Sequence, residues 1–135
     1  MFEAVLSLRS RVLKALQSMM QYSTEQAYFR KCETRQLLSN DEFYGRFYDG
    51  SDIPRLVVER TREVFADQLA MDRVDPRDHL GQIFPDLDFN EVTKEVANAF
   101  GIPCPPSNPD GDTFDDVVRW IAKHIPRQEQ NTRSQ

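Results

Sequence analysis

Groups that carry most enzyme chemistry are scarce in this chain. It has two cysteines and two histidines among 135 residues, and none of them shows metal-ligand spacing. The five glycines form no phosphate-binding loop, and no nucleophile stands beside a base in a catalytic motif. These absences predict that the protein is not an enzyme and holds no cofactor and no metal ion.

Long apolar runs are also missing from the sequence. Nothing resembles the core of a signal peptide or a membrane-spanning helix. Cys32 and Cys104 are far apart in the chain, as is usual for thiols that stay reduced. We therefore expect a cytoplasmic protein without a membrane-spanning helix.

The charge is unevenly distributed along the chain. The formal net charge of −5 argues against a nucleic-acid binder. Residues 1–38 hold six Lys or Arg against three Asp or Glu, whereas residues 52–125 hold eight against fifteen. The basic front and the acidic body are therefore expected to attract each other, within one molecule or between two copies.

Residues 89–100 show the clearest helical pattern in the chain. Asp86 or Asp88 can cap the first turn, and Gly101 can end the helix. Apolar residues recur at spacings of three and four, which places them on one face: Phe89, Val92, Val96 and Phe100. The other face is polar and contains Asn90, Glu91, Lys94, Glu95 and Asn98.

Around this helix, residues 53–125 resemble the acyl carrier proteins, small four-helix domains that carry substrates on a phosphopantetheine arm. The matching residues are Pro85-Asp86-Leu87-Asp88, the helix to Phe100, Gly101-Ile102, a proline-containing loop, and Thr113 opening the last helix. The resemblance implies an all-α fold: an acyl-carrier-protein-like four-helix bundle with an N-terminal helical extension. It divides the chain into an extension over residues 1–50, a bundle over 51–126 and a disordered tail over 127–135.

One residue contradicts the chemistry of that family. Asp86 occupies the position of the serine that receives the phosphopantetheine arm, and a carboxylate cannot form that phosphodiester. The resemblance therefore implies a non-catalytic module that has lost the phosphopantetheine site. It would bind a protein partner with a basic patch, such as a fatty-acid or polyketide-type enzyme. The implied partner-binding residues are Asp86, Leu87, Asp88, Glu91 and Glu95.

Three alternatives remain open at this point. In the first alternative, the protein is a genuine acyl or peptidyl carrier, with the arm on Ser107 or with acyl groups held in another way. In the second alternative, it is a self-associating or membrane-surface adaptor that uses the basic amphipathic helix predicted over residues 2–20. In the third alternative, the acidic residues are simply a solvated helix face.

Two further helices are predicted ahead of the bundle. Capping boxes at Ser23 and Ser39 start helices over residues 24–37 and 40–48. Aromatic and basic residues alternate here, as in platforms that stack nucleic-acid bases, but the positive charge is small. We expect these helices to pack on the bundle or to form a homodimer, with membrane binding less favoured.

The bundle itself is predicted to have a loop over residues 71–84 between its first two helices and an extended loop over 102–112. The latter begins with a calcium-like spacing at Asn108, Asp110 and Asp112, but later positions of the calcium motif do not match. The expected core combines apolar positions of three helices: Phe65, Leu69, Phe89, Val92, Val96, Phe100, Val117 and Ile121.

Overall fold

The computed structural model describes residues 24–126, and this part of the chain is all-helical without a strand. The predicted helix over residues 2–20, the cap at Ser23 and the tail over 127–135 lie outside the described residues. The described helices are α1 over residues 24–33, α2 Asn40–Phe47, α3 Arg55–Leu69, α4 Leu80–Ile83, α5 Phe89–Ala99 and α6 Phe114–His124. None of these helices is both long enough and apolar enough to cross a membrane.

Local capping signals set where α2 and α6 begin. The Ser39 hydroxyl accepts a hydrogen bond from the Glu42 amide, and the Glu42 carboxylate accepts one from the Ser39 amide. Thr113 and Asp116 make the same reciprocal pair at the start of α6. Each pair satisfies amides that the first helical turn leaves without a backbone partner, so both predicted starts are confirmed.

Three helices, α3, α5 and α6, pack against one another and form the centre of the core. Phe114 is fully buried there, with its ring 4.9 Å from that of Phe65 and 5.7 Å from that of Phe43, both in edge contact. Of the predicted core, Phe65, Val92, Val96, Phe100, Val117 and Ile121 are buried. Leu69 and Phe89 are partly buried and pack against its edge.

The described part of the extension contributes to this same core. Tyr28 and Cys32 of α1, and Phe43 and Tyr48 at α2, are buried with the bundle residues. The rings of Tyr28, Phe43 and Tyr48 are therefore enclosed by protein, and a nucleic-acid base cannot stack on them. The sequence boundary at residue 50 thus separates two segments that share one hydrophobic core.

One predicted loop and one predicted helix end need correction, and a second predicted loop is confirmed. Residues 71–84 are not a loop throughout, because α4 forms at their end and buries Leu80 and Ile83. The extended loop predicted over residues 102–112 is confirmed, because these residues contain no helix. The helix predicted over residues 24–37 ends earlier, at residue 33, and Leu37 is 56% exposed.

Candidate partner-docking site

The predicted site begins at the turn between α4 and α5. Asp88 is the N-cap of α5, and its Oδ1 accepts a hydrogen bond from the Asn90 amide at 3.0 Å. Asp86 lies two residues earlier, exposed in a turn. Of the two predicted candidates for the helix cap, Asp88 fills the role and Asp86 faces solvent.

Leu87 holds the turn against the body of the protein. Its amide donates to the Phe84 carbonyl at 3.0 Å, and its partly buried side chain packs against the core. The two carboxylates on either side of it are exposed. Leu87 therefore fixes the turn that presents Asp86 and Asp88.

The acidic face continues along α5. Asp88, Glu91 and Glu95 are separated by three and four residues, which places them on one side of the helix, and all three are exposed. Lys94 is the one cation of this stretch and lies 3.5 Å from Glu91, with both side chains more than half exposed. With Asp86, the surface has four carboxylates and one ammonium group, so its net charge is −3.

A surface of this kind acts by electrostatics and not by bond chemistry. Exposed carboxylates attract a basic partner over about 8 to 10 Å at physiological salt, and they raise the association rate more than the final affinity. The single cation, Lys94, is already engaged with Glu91. The site is therefore suited to docking a positively charged protein surface.

The structure also brings together two residues that the sequence analysis did not connect. Ser107 Oγ lies 3.2 Å from His124 Nε2, at a groove of about 580 Å³ between α6 and the proline-rich loop. His124 Nδ1 is 2.7 Å from the Trp120 carbonyl, which requires the proton on Nδ1 and leaves Nε2 to accept from the serine. Trp120 Nε1 in turn donates to the Ser107 carbonyl at 2.9 Å.

This serine and histidine do not by themselves make a catalytic site. Both residues are exposed, so water competes for each hydrogen bond. Nucleophilic catalysis also needs donors aimed at the charge that develops in the transition state, and these two side chains supply none. Ser107 and His124 are 17 residues apart in the chain, so no local sequence pattern joins them.

Asp112, part of the calcium-like spacing, has a structural role. Its Oδ1 is 2.8 Å from His79 Nδ1, its Oδ2 accepts from the Gly81 amide at 2.8 Å, and its carbonyl accepts from the Leu80 amide. The carboxylate thus caps α4 from a distant part of the chain. Within residues 24–126, no group of three or more His, Cys, Asp or Glu is placed to hold a metal ion.

These contacts predict how Asp112 affects stability as the pH changes. Burial alone would raise the pKa of Asp112, but hydrogen bonds from His79 and the Gly81 amide outweigh it and hold the pKa below the ordinary 3.8. A carboxyl whose pKa is lower in the folded state stabilises the fold fully above 3.8, and this stabilisation is lost as the pH falls through the folded-state pKa.

Substitution of Asp112 tests this assignment. We expect Asp112→Asn to reduce the free energy of unfolding at neutral pH by about 1 kcal/mol, because the single amide oxygen can replace only one of the two carboxylate oxygens that contact His79 and the Gly81 amide. The difference in free energy of unfolding between the variant and the parent should become smaller at acidic pH, where Asp112 is protonated in both the folded and the unfolded protein. Chemical unfolding across this pH range measures it, with the exposed neighbour Asp110→Asn as control. Equal losses in the two variants would contradict the capping role.

No family model, curated protein or solved structure matches this chain. The likeness to acyl carrier proteins therefore rests on residues 85–88, residues 101–102, Thr113 and the helical pattern between them.

Proposed function

We propose that this protein is a non-catalytic, acyl-carrier-protein-like module that binds a basic protein partner and bears no phosphopantetheine. The observation that carries the proposal is the exposed acidic surface of Asp86, Asp88, Glu91 and Glu95, held in place by the partly buried Leu87. The partner's complementary surface is a basic patch. A fatty-acid or polyketide-type enzyme is the class that the resemblance implies.

The order of the helices supports this proposal. A long helix, α3, is followed by a loop, the capped helix α5, a proline-rich loop and α6, and α5 packs on both of the others. That is the order of the principal helices in the family that the sequence resembles. The short helix α4 lies before α5 and departs from the implied pattern.

The chemistry at Asp86 explains why the module would lack an arm. Transfer of phosphopantetheine requires a hydroxyl oxygen that attacks the pyrophosphate of coenzyme A. A carboxylate that made this attack would form an acyl phosphate, which water hydrolyses, so no stable arm would accumulate. Asp86 places a permanent negative charge at a position where the family carries a phosphodiester.

A genuine carrier with its arm on Ser107 is the second candidate. One observation favours it: the Ser107 hydroxyl is exposed, and His124 Nε2 is placed to accept its proton. Against it, Ser107 lies in a loop six residues ahead of Thr113, the N-cap of α6, and not at a helix start. The non-catalytic module is therefore the better supported function.

The compartment proposed for this function is the cytoplasm. Cys32 is buried and Cys104 is exposed, and neither forms a disulfide. An exposed free thiol such as that of Cys104 persists best in a reducing environment.

Intact-mass measurement tests the proposal. We expect the unmodified protein to gain no mass after incubation with coenzyme A and a broad-specificity phosphopantetheinyl transferase, and Asp86→Ser to gain one arm. A mass gain by the unmodified protein would support the Ser107 carrier if Ser107→Ala removed it. If neither protein gained mass, the result would contradict the proposal that the surface around residue 86 resembles the docking surface of a carrier protein.

Modification of Asp86→Ser by the same transferase also tests the acidic face, because the proposal makes docking on this face a requirement for modification. Glu91→Lys and Glu95→Lys, added to Asp86→Ser, should slow modification at least about tenfold at low salt, since like charges then meet across the interface. The control adds Glu63→Lys and Asp67→Lys, which reverse two exposed acids on α3. Equal slowing in the two proteins would show that net charge matters and the α5 face does not.

A further inference from the structure

A small basic pocket lies between α2, α3 and the residues that follow each of α1 and α3. Its volume is about 150 Å³, and four arginines line it together with apolar side chains that include Phe43. The arginines are Arg35, Arg46, Arg62 and Arg73. Four guanidinium groups around one small pocket are unexpected in a protein whose net charge is −5.

Carboxylates neutralise only part of this charge. Arg35 is paired with Asp78, at 2.8 Å for each of two hydrogen bonds. Asp75, the one acid in the lining, is already bound by the side chain and amide of Arg77. Among residues 24–126, no ion pair is formed by the remaining three arginines of the pocket.

Arg62 is held in a fixed orientation without a counterion. Its guanidinium lies 4.3 Å from the ring centre of Phe43 and donates to Asn40 Oδ1 at 2.7 Å and to the Leu38 carbonyl at 3.0 Å. Burial lowers the pKa of Arg62, and the opposing effect of the Glu59 carboxylate is too small to offset it. An anion beside it would restore the missing compensation.

Arg73 is also positioned by neutral acceptors. Its Nη1 donates to the carbonyls of Cys32 at 3.2 Å and Arg35 at 3.3 Å, at the end of α1. A guanidinium has five N–H donors, and in the described part of the chain Nε and Nη2 of Arg73 donate to no protein acceptor. Arg46, exposed on the last turn of α2, completes the ring of donors.

We infer that this pocket binds a small phosphoryl anion, either inorganic phosphate or the phosphate of a small phosphomonoester. The guanidinium groups of Arg46, Arg62 and Arg73 come from three different segments. Together they match a doubly charged anion with several oxygens better than they match a single carboxylate. The volume is below that of an ordinary small-molecule site, so the pocket fits one such group and not a whole nucleotide. The inference does not depend on the proposed docking function.

Calorimetric titration of the full chain tests this site with two probes, inorganic phosphate and phenyl phosphate, at matched ionic strength. We expect both to bind, and Arg46→Gln to weaken each about tenfold, since a hydrogen bond to a charged group is lost. Arg46 is exposed and forms no ion pair among residues 24–126, so this variant should fold like the parent. The control is Arg30→Gln, which removes an exposed arginine of α1 that lies outside the pocket.

The outcomes separate the alternatives. Binding of both probes with a selective loss in Arg46→Gln supports a phosphate site, and binding of phenyl phosphate alone assigns it to a phosphomonoester. If neither probe binds the parent, or if Arg30→Gln weakens binding as much as Arg46→Gln, the inference is overturned. Arg62→Lys gives a second check, because it retains the charge but loses the planar fork and should also weaken binding.

Discussion

Replacement of Asp78 by asparagine is expected to reduce the free energy of unfolding by about 3 kcal/mol or more, because it breaks a nearly buried ion pair. The Asp78 side chain is only 10% exposed. It accepts two hydrogen bonds from Arg35 at 2.8 Å, one from the Tyr28 hydroxyl at 2.9 Å and one from the Asp75 amide at 3.0 Å. The neutral amide of asparagine would leave the Arg35 guanidinium without its counterion.

This cluster joins α1 to the segment between α3 and α4, so its loss should release the front of the described structure first. The hydrogen bonds that Arg35 donates to Asp78 raise the pKa of Arg35, so the pair favours the charged state of the guanidinium. Urea unfolding measures the loss, and Asp72→Asn is the control, an exposed acid in the same segment. If Asp78→Asn is no less stable than Asp72→Asn, the pair does not hold α1 in place.

Val96→Asp should have an equally large effect, about 4 kcal/mol or more, because it buries a charge where no partner is available. Val96 is fully buried at the centre of α5, on the face that packs against α3 and α6. Neither a water molecule nor a cation can reach this position without opening the core. The variant is expected to be largely unfolded at room temperature or to expand to admit water.

Thermal unfolding followed by circular dichroism measures this loss. The control is Asn98→Asp, which adds the same charge to an exposed position two residues further along α5 and should cost only a few tenths of a kcal/mol through the helix dipole. A cooperative transition at the parent's temperature in Val96→Asp would show that the buried face of α5 has been assigned incorrectly.

Signals that act over a few residues were sufficient for α2, α3, α5 and α6 and for most of the core. The helix starts predicted at Ser39 and Thr113 are confirmed, and Gly101 follows α5 with a positive φ of 67°. The apolar stripe of α5 identified its buried face. These features depend on hydrogen bonds and side-chain spacing within about one helical turn, so the local sequence specifies them.

The local pattern was insufficient where the partner of a residue is distant in the chain. Helix α4 was predicted as loop because its amides are satisfied by Asp112, 31 residues after Gly81. The cap of α5 was ambiguous because Asp86 and Asp88 are chemically alike, and the turn held by Leu87 places Asp88 at the helix start.

The candidate sites divide in the same way. The acidic face of α5 could be predicted, since helical periodicity alone determines which of its side chains face solvent. The contact of Ser107 with His124, the cluster at Asp78 and the four arginines of the pocket could not be predicted, because each joins separate segments of the chain. Charges and hydroxyls are common on any surface, and packing of α1, α2 and α3 into one core determines which of them meet.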